Sequence, residues 1–249
     1  LDYVRALGRA HQKAKTQLDS SMPLLEHLEE LRQRIFKAAA ALVVATLLSF
    51  IFAGKLVDFL AVPIGGRKAL VSIEITENIA IFMRVSLLSG VILAMPVIVY
   101  QIIRFVLPGL TDRERRWLLL GVPFASLLFL SGAAFTWYVM LPAAVPFLIN
   151  FLGITTQVRP LNYFDFTTSL MFWIGLSFEM PLVVMFLAML KLVKAAQLIR
   201  YWRYAIVVMA VVAAVVTPTV DPINMSLVML PLAGLYVISI VLASIAGRS

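Results

Sequence analysis

FTTSLMFWIGLSFEMPLVVMFLAML, residues 166–190, is 25 positions long and carries one ionisable side chain, Glu179. At ~1.5 Å per residue, a helix of that length crosses the ~30 Å hydrocarbon core of a bilayer. Glu179 has 13 residues before it and 11 after, so it falls near mid-depth. Insertion scales put a charged carboxylate there at roughly +3 kcal/mol, so the acid is expected to be neutral, paired or turned to a wet recess. Pro181 follows two residues later, removes a backbone donor and takes the helical partner from the carbonyl of Ser177. The stretch predicts a membrane-spanning helix loosened beside a buried acid.

The rest of the chain repeats the pattern. Hydrophobic residues make up 62% of it and charged residues 14%, against ~25% charged in ordinary soluble domains. The apolar runs are too long and too many for a globular core, so the fold class is an all-α integral membrane protein. Six transmembrane helices are expected at about 36–53, 79–106, 116–141, 164–190, 203–217 and 223–244. Tyr204 to Gly247 as one helix would be ~66 Å long, twice the bilayer core. TPTVDP, residues 217–222, breaks it with two prolines and an Asp. What remains is a short fifth helix of about 14 residues, or ~21 Å, and a sixth near 22. The fifth is expected to be mismatched with a full-thickness bilayer or to thin it locally.

Orientation follows from the 21 Lys and Arg. Sixteen fall in the N-terminal segment, the second-to-third and fourth-to-fifth connections and the C-terminus, whereas four (Lys55, Arg67, Lys68, Arg159) fall on the other side. By the positive-inside rule both termini are cytoplasmic, and the net charge of +8 reflects topology rather than nucleic-acid binding. Cysteine is absent and the only histidines are His11 and His27, so no Cys/His metal site or disulfide is expected. There is no Walker-type phosphate loop or G-x-G-x-x-G, and no cofactor is expected. No cleavable signal peptide is read, because the N-terminal segment is polar and the first apolar stretch begins late. A chain opening on Leu1 is expected to lack its native start.

Two stretches at the cytoplasmic rim carry chemistry. In SSMPLLEHLEELRQRIF, residues 20–36, Ser20, Ser21 and Pro23 resemble a helix start, and Leu24, Leu28, Leu31 and Ile35 form one apolar stripe. An amphipathic helix over 22–36, resting on the membrane surface, is expected after a basic extension at 1–21. Glu30 and Arg34 are an i, i+4 pair. In PGLTDRERRW, residues 108–117, Thr111 and Glu114 form a candidate capping box for the third span. These features suffice for a surface anchor and a helix start. Yet Glu30 and Glu114 share one membrane face, and two carboxylates there could receive two cations.

HLEELRQR (27–34), PVIVYQIIRFVLPGLTDRERR (96–116), FWIGLSFEMP (172–181) and the TP…DP break resemble the TatC family, the signal-peptide receptor core of the twin-arginine protein translocase. The resemblance runs in order from about Met22 through nearly the whole chain, the six-helix domain being read over 22–247. It implies a glove-shaped concave bundle, N-in and C-in, in the cell inner (cytoplasmic) membrane. By position, Glu30 and Arg32 match the family's ELR element, Phe105 the loop-entry aromatic and Glu114 the loop carboxylate. The resemblance makes these residues, with Arg115 beside them, the binding patch for twin-arginine signal peptides of folded precursor proteins. Pro63 matches a proline of the first outer loop, Glu179 an acid on the concave face, and Asp221 an acid of the last outer loop. Thr217, Asp221 and Met225 fall where the family docks single-span TatA/TatB-type partners. Many members carry a glutamine at the position of Met225, and some a bulkier residue at Ala214. A homo-oligomeric receptor complex, lipid contacts and export driven by the proton-motive force are implied as well, with no catalysis by the chain itself.

Three readings of Glu179 stay open: a helix-packing acid, an acid lining a wet cavity for a signal peptide or a partner's polar residue, or a proton relay. Pro181 is structural in all three. Arg84 reads as a snorkelling rim residue, and Trp117, Trp137 and Trp202 as interfacial anchors. The competing function is an ion-coupled secondary transporter built on Glu179, although such proteins use more intramembrane polar groups. An enzyme would need paired acids, a metal cluster or a nucleophile and base, and the spans contain none.

Overall fold

In the computed structural model the apolar stretches are helical. The backbone is described for residues 2–106, 112–150, 157–217 and 222–246; side chains are described from residue 26 onward within these, except at 106, 112–118, 120, 223 and 224. The first helix, α1, is continuous over Asp2–Ser49. It therefore runs straight through Ser20–Pro23, where a helix start was expected, and joins the amphipathic segment to the first span without a break. For the junction beyond Pro23 the cause is local: no Gly or Pro lies between Pro23 and Gly54, and Leu, Glu, Gln, Arg and Ala dominate.

The span ends by tightening. Ser49 Oγ donates to the Ala45 carbonyl at 2.8 Å, and the N–H groups of Ile51 and Phe52 reach back only three residues, to Leu48 and Ser49. The chain then turns by 81° into α2, Ala53–Leu60. Two short 3-10 turns follow, Val62–Ile64 with Pro63 in its first turn and Arg67–Ala69. Between them Gly65 (φ 94°) and Gly66 (φ 88°) adopt a backbone that a Cβ would strain.

α3 is Glu77–Val106, a single helix with Pro96 inside it. α4, Asp112–Phe135, passes through a π-turn at Thr136–Met140 into α5, Leu141–Asn150. α6, Pro160–Phe178, and α7, Met180–Met189, are two halves of one span. A short α8, Ala195–Arg200, leads to α9, Trp202–Val216, and α10, Pro222–Ala246. Among the described residues four apolar runs are long enough to cross a membrane (77–105, 121–150, 160–189 and 225–246), and the bent α1–α2 pair makes a fifth. α9, with 15 residues, is the short fifth span expected from the sequence, whereas α10, with 25, is longer than expected.

α3, α4 and α6 pack mutually, α1 packs on α3, α7 on α10, and α10 on α9. Small residues set the closest crossings, as expected where lipid supplies no hydrophobic drive between helices. A Cβ on Gly90 of α3 would stand 2.8 Å from Thr46 Cα of α1, and one on Gly132 of α4 would stand 2.8 Å from Gly175 Cα of α6. Phe129, Met140, Phe164, Leu170 and Ile174 fill the centre of the bundle. Val44, Leu47, Leu87, Leu127, Val211 and Leu230 stay exposed on its outside, where lipid replaces water as solvent. Two tyrosines add polar ties between elements: the Tyr163 hydroxyl donates to the Leu60 carbonyl and the Tyr236 hydroxyl to that of Leu198, both at 2.7 Å.

Candidate functional site

The basic end of the bundle gathers one carboxylate and its neighbours. Glu30 on α1 faces the C-terminal turns of α3. Arg34, one turn further along α1, donates from Nη2 to Glu30 Oε1 at 2.7 Å and from Nη1 to Gln101 Oε1 of α3 at 3.3 Å. His27 Nδ1 lies 3.9 Å from Glu30 Oε2, and the His27 ring stacks on Phe105 with centroids 4.3 Å apart and planes at 15°. Arg104 lies over the Tyr100 ring at 5.6 Å, and its Nε is buried without a hydrogen-bond partner. The hydrogen bond from Arg34, with added field from His27 and Arg104, holds the Glu30 carboxyl below the usual carboxylate range. The acid is therefore ionised at neutral pH and lies beside an aromatic pair, two features suited to a guanidinium, with Arg34 already bonded to it.

The sequence-predicted residues divide around this patch. Glu30 and Phe105 come together through His27. Arg32 turns away, bonding Glu29 Oε1 at 2.6 Å with its side chain two-thirds exposed (66%). Glu114 and Arg115 lie in the first turn of α4, which leaves the same end as the α3 terminus, and their side chains are outside the described residues. Thr111 is outside them too, though α4 starts one residue after it. Arg34, Gln101 and His27 were not singled out. Arg34 was visible only as a spacing pair, and nothing in the sequence placed Gln101 beside it, because that contact spans 67 positions.

Glu179 marks the break between α6 and α7. Its N–H reaches the Leu176 carbonyl at 3.1 Å, a tightened turn, while its own carbonyl accepts from Val183 at 3.0 Å. The sequence expectation for Ser177 needs amending: Pro181 cannot bond its carbonyl, but an N–H at the helix cap does. Pro181 is buried at the start of α7, where its missing donor costs nothing. The Glu179 side chain is buried (7% exposed), and its Oε1 has no hydrogen-bond partner. Phe178, the residue before it, lies at a crossing of α4 and α6, where a Cβ on Gly132 would stand 2.9 Å from its ring.

The opposite end holds a network that sequence reading missed. Glu77 (1% exposed) accepts from the Ser72 hydroxyl at 3.1 Å, the Ile73 N–H at 3.3 Å and Arg159 at 2.5 Å. Arg159 also bonds Glu74 at 2.8 Å, and the two carboxylates hold its proton more firmly than usual. Arg84, read as a snorkelling rim residue, forms a half-exposed ion pair with Asp165 of α6. Trp137, expected as an anchor, stacks on Phe59 of α2 with centroids 4.3 Å apart.

Thr217, at the end of α9, is buried and donates to the Ala213 carbonyl at 2.8 Å, while Met225 is half-buried on α10. Asp221 lies outside the described residues. Pro63 is half-buried in its 3-10 turn. Among the described residues no group of His, Asp and Glu could hold a metal ion.

A family model described as Sec-independent protein translocase protein (TatC) matches residues 26–231. The chain is 40% identical over 233 residues to the chloroplastic Sec-independent protein translocase protein TATC of Arabidopsis thaliana, spanning 92% of this chain and 68% of that protein. It is 39% identical over 220 residues to the Sec-independent protein translocase protein TatC of Synechocystis sp., spanning 88% and 86%. A crystal structure of a twin arginine translocase receptor, TatC, superposes with a TM-score of 0.79 at 34% identity, covering 89% of this chain and all (100%) of that one. The chain belongs to the TatC family of Sec-independent protein translocase proteins.

Proposed function

We propose that this protein is the receptor subunit of a twin-arginine translocase, binding signal peptides at its basic end and gathering single-span partners around α9 and α10. The observation that carries the proposal is the ionised Glu30, held between α1 and α3 beside a stacked aromatic pair. A guanidinium is a planar fork that can make two parallel bonds to a carboxylate, which a lysine ammonium does not reproduce. Glu30 and, from the first turn of α4, Glu114 are the two proposed acceptors for a pair of arginines. Arg115 would limit which cations can approach, and Phe105 would offer a ring face. Arg32 serves the rim rather than the pocket, given its bond to Glu29.

We infer that the basic end is cytoplasmic and that the protein resides in the cell inner membrane, from the distribution of Lys and Arg. Glu179 acts deeper, where an inserted signal peptide or a partner helix with a polar group reaches the α6–α7 break. Thr217, Asp221 and Met225 are the proposed docking positions, and further copies of the chain complete the receptor complex. The role is binding and scaffolding rather than catalysis. No observation favours ion-coupled transport.

The test is binding of an Arg-Arg signal peptide and its Lys-Lys variant to the purified protein. The Arg-Arg peptide is expected to bind about tenfold more tightly, equivalent to ~1.4 kcal/mol. Glu30→Ala and Glu114→Ala are each expected to remove most of that difference. Equal affinities for the two peptides, or full binding by Glu114→Ala, would overturn the assignment.

A further inference from the structure

The carboxylate proposed to receive a signal arginine already holds one. Arg34 forms a charge-assisted bond to Glu30 at 2.7 Å, and its side chain is largely covered (19% exposed) against α3. The same guanidinium has a second acceptor, Gln101 Oε1, at 3.3 Å on the other helix. Arg34 therefore has a seat to keep when Glu30 is taken from it. Arg104 adds a second resident cation near the same acid. The patch carries two arginines of its own, Arg34 and Arg104, matching the pair in a twin-arginine peptide.

Resting on the receptor reading, we propose that Arg34 is an internal stand-in for a signal arginine, so that a ligand binds Glu30 only by displacing it toward Gln101. Displacement sets specificity. A ligand guanidinium replaces the lost bond with two parallel ones, whereas an ammonium offers a single point charge and competes poorly. Arg34 thus contributes to the preference for arginine over lysine without touching the ligand, and it prevents casual occupation of Glu30 by other cations. Its i, i+4 position on a helix with no break between residues 26 and 49 keeps the competitor at a fixed distance.

The experiment measures affinities of the Arg-Arg and Lys-Lys peptides for the full-length protein and for Arg34→Gln, Arg34→Lys and Gln101→Ala. In Arg34→Gln, Arg-Arg affinity is expected to rise roughly two- to fivefold, the worth of a part-exposed ion pair. Lys-Lys affinity is expected to rise more, so that the ratio between the peptides shrinks. Arg34→Lys keeps the charge and the fold and is expected to fall between. Gln101→Ala removes the second seat and is expected to weaken Arg-Arg binding in the wild-type background but not in Arg34→Gln, a non-additive pair. A residue that merely shapes the rim would lower both affinities together. An unchanged ratio in Arg34→Gln, a fall in both affinities, or equal effects of Gln101→Ala in the two backgrounds would overturn the role of Arg34. If the wild-type protein binds neither peptide, the receptor reading itself falls.

Discussion

Glu179 is costly where it stands. It is buried at a helix break, and its Oε1 has no partner. A structural acid would be bonded to its neighbours, and removing it would loosen the fold. An acid kept for a ligand or partner strains the resting protein. Glu179→Gln is therefore expected to leave the thermal midpoint of the purified protein unchanged or raised, while precursor export in cells falls sharply; a clear loss of stability would make it a packing acid. Glu77 is the opposite case. Its carboxylate is enclosed and bonded by Ser72, Ile73 and Arg159, so Glu77→Ala takes their shared acceptor away and leaves a gap at a buried position. Its thermal midpoint is expected to drop by several degrees, with peptide binding at the far end unchanged at low temperature. Glu179 was legible because a charge inside an apolar run stands out. Glu77 was not, since a Glu at the edge of a span resembles any interfacial residue until Arg159, 82 positions away, is brought to it.

At the scale of the helix, glycines decide how closely neighbours approach. Added at Gly132, a methyl group would stand 2.8 Å from Gly175 Cα and 3.0 Å from the Ile174 carbonyl, against backbone that cannot yield. Gly132→Ala is expected to destabilise the protein by about 2 kcal/mol, within the usual range for overpacking. Gly234, inside α10, has nothing within 4 Å of the same added atom. Gly234→Ala is expected to be neutral or to stabilise by up to ~1 kcal/mol, the helix-propensity difference. Thermal unfolding in one detergent compares the two, and equal effects would refute the crossing assigned to α4 and α6. The helices themselves were largely legible, because a 20-residue apolar run in a membrane protein has no other low-energy structure. The α6–α7 break was legible from Pro181. The bend after Ser49 was not: no proline or glycine marks it, and it arises from back-bonding by Ser49 and a tightened last turn.

For the molecule as a whole, α9 is the mismatch. Its 15 residues reach ~22 Å, short of a ~30 Å core. It packs mainly on α10 and touches α6, burying Met209, Ala213 and Val216 while about half of its residues stay exposed. The bilayer must thin around it, or a partner must cover it. Reconstitution in bilayers of increasing acyl-chain length is expected to lower the unfolding temperature steadily, and α9 is expected to be the first helix to gain proteolytic or exchange sensitivity. A stability independent of bilayer thickness would contradict this.

The amino-acid sequence alone determined the solvent, the six spans and the family, because burial in lipid demands long apolar helices and the motifs at their ends stand in order along the chain. The orientation proposed above rests on how a membrane sorts Lys and Arg by side. It also marked Glu30 and Glu179, whose charges are conspicuous in their local surroundings. Only the tertiary structure decided what those acids face. Arg34 and Gln101 meet at Glu30, Arg84 meets Asp165, and Arg159 closes on Glu77 because helices distant in sequence pack side by side. Such pairings depend on helix rotation and crossing, which are set by small residues at the contacts rather than by apolar periodicity, since every face of a membrane helix is apolar.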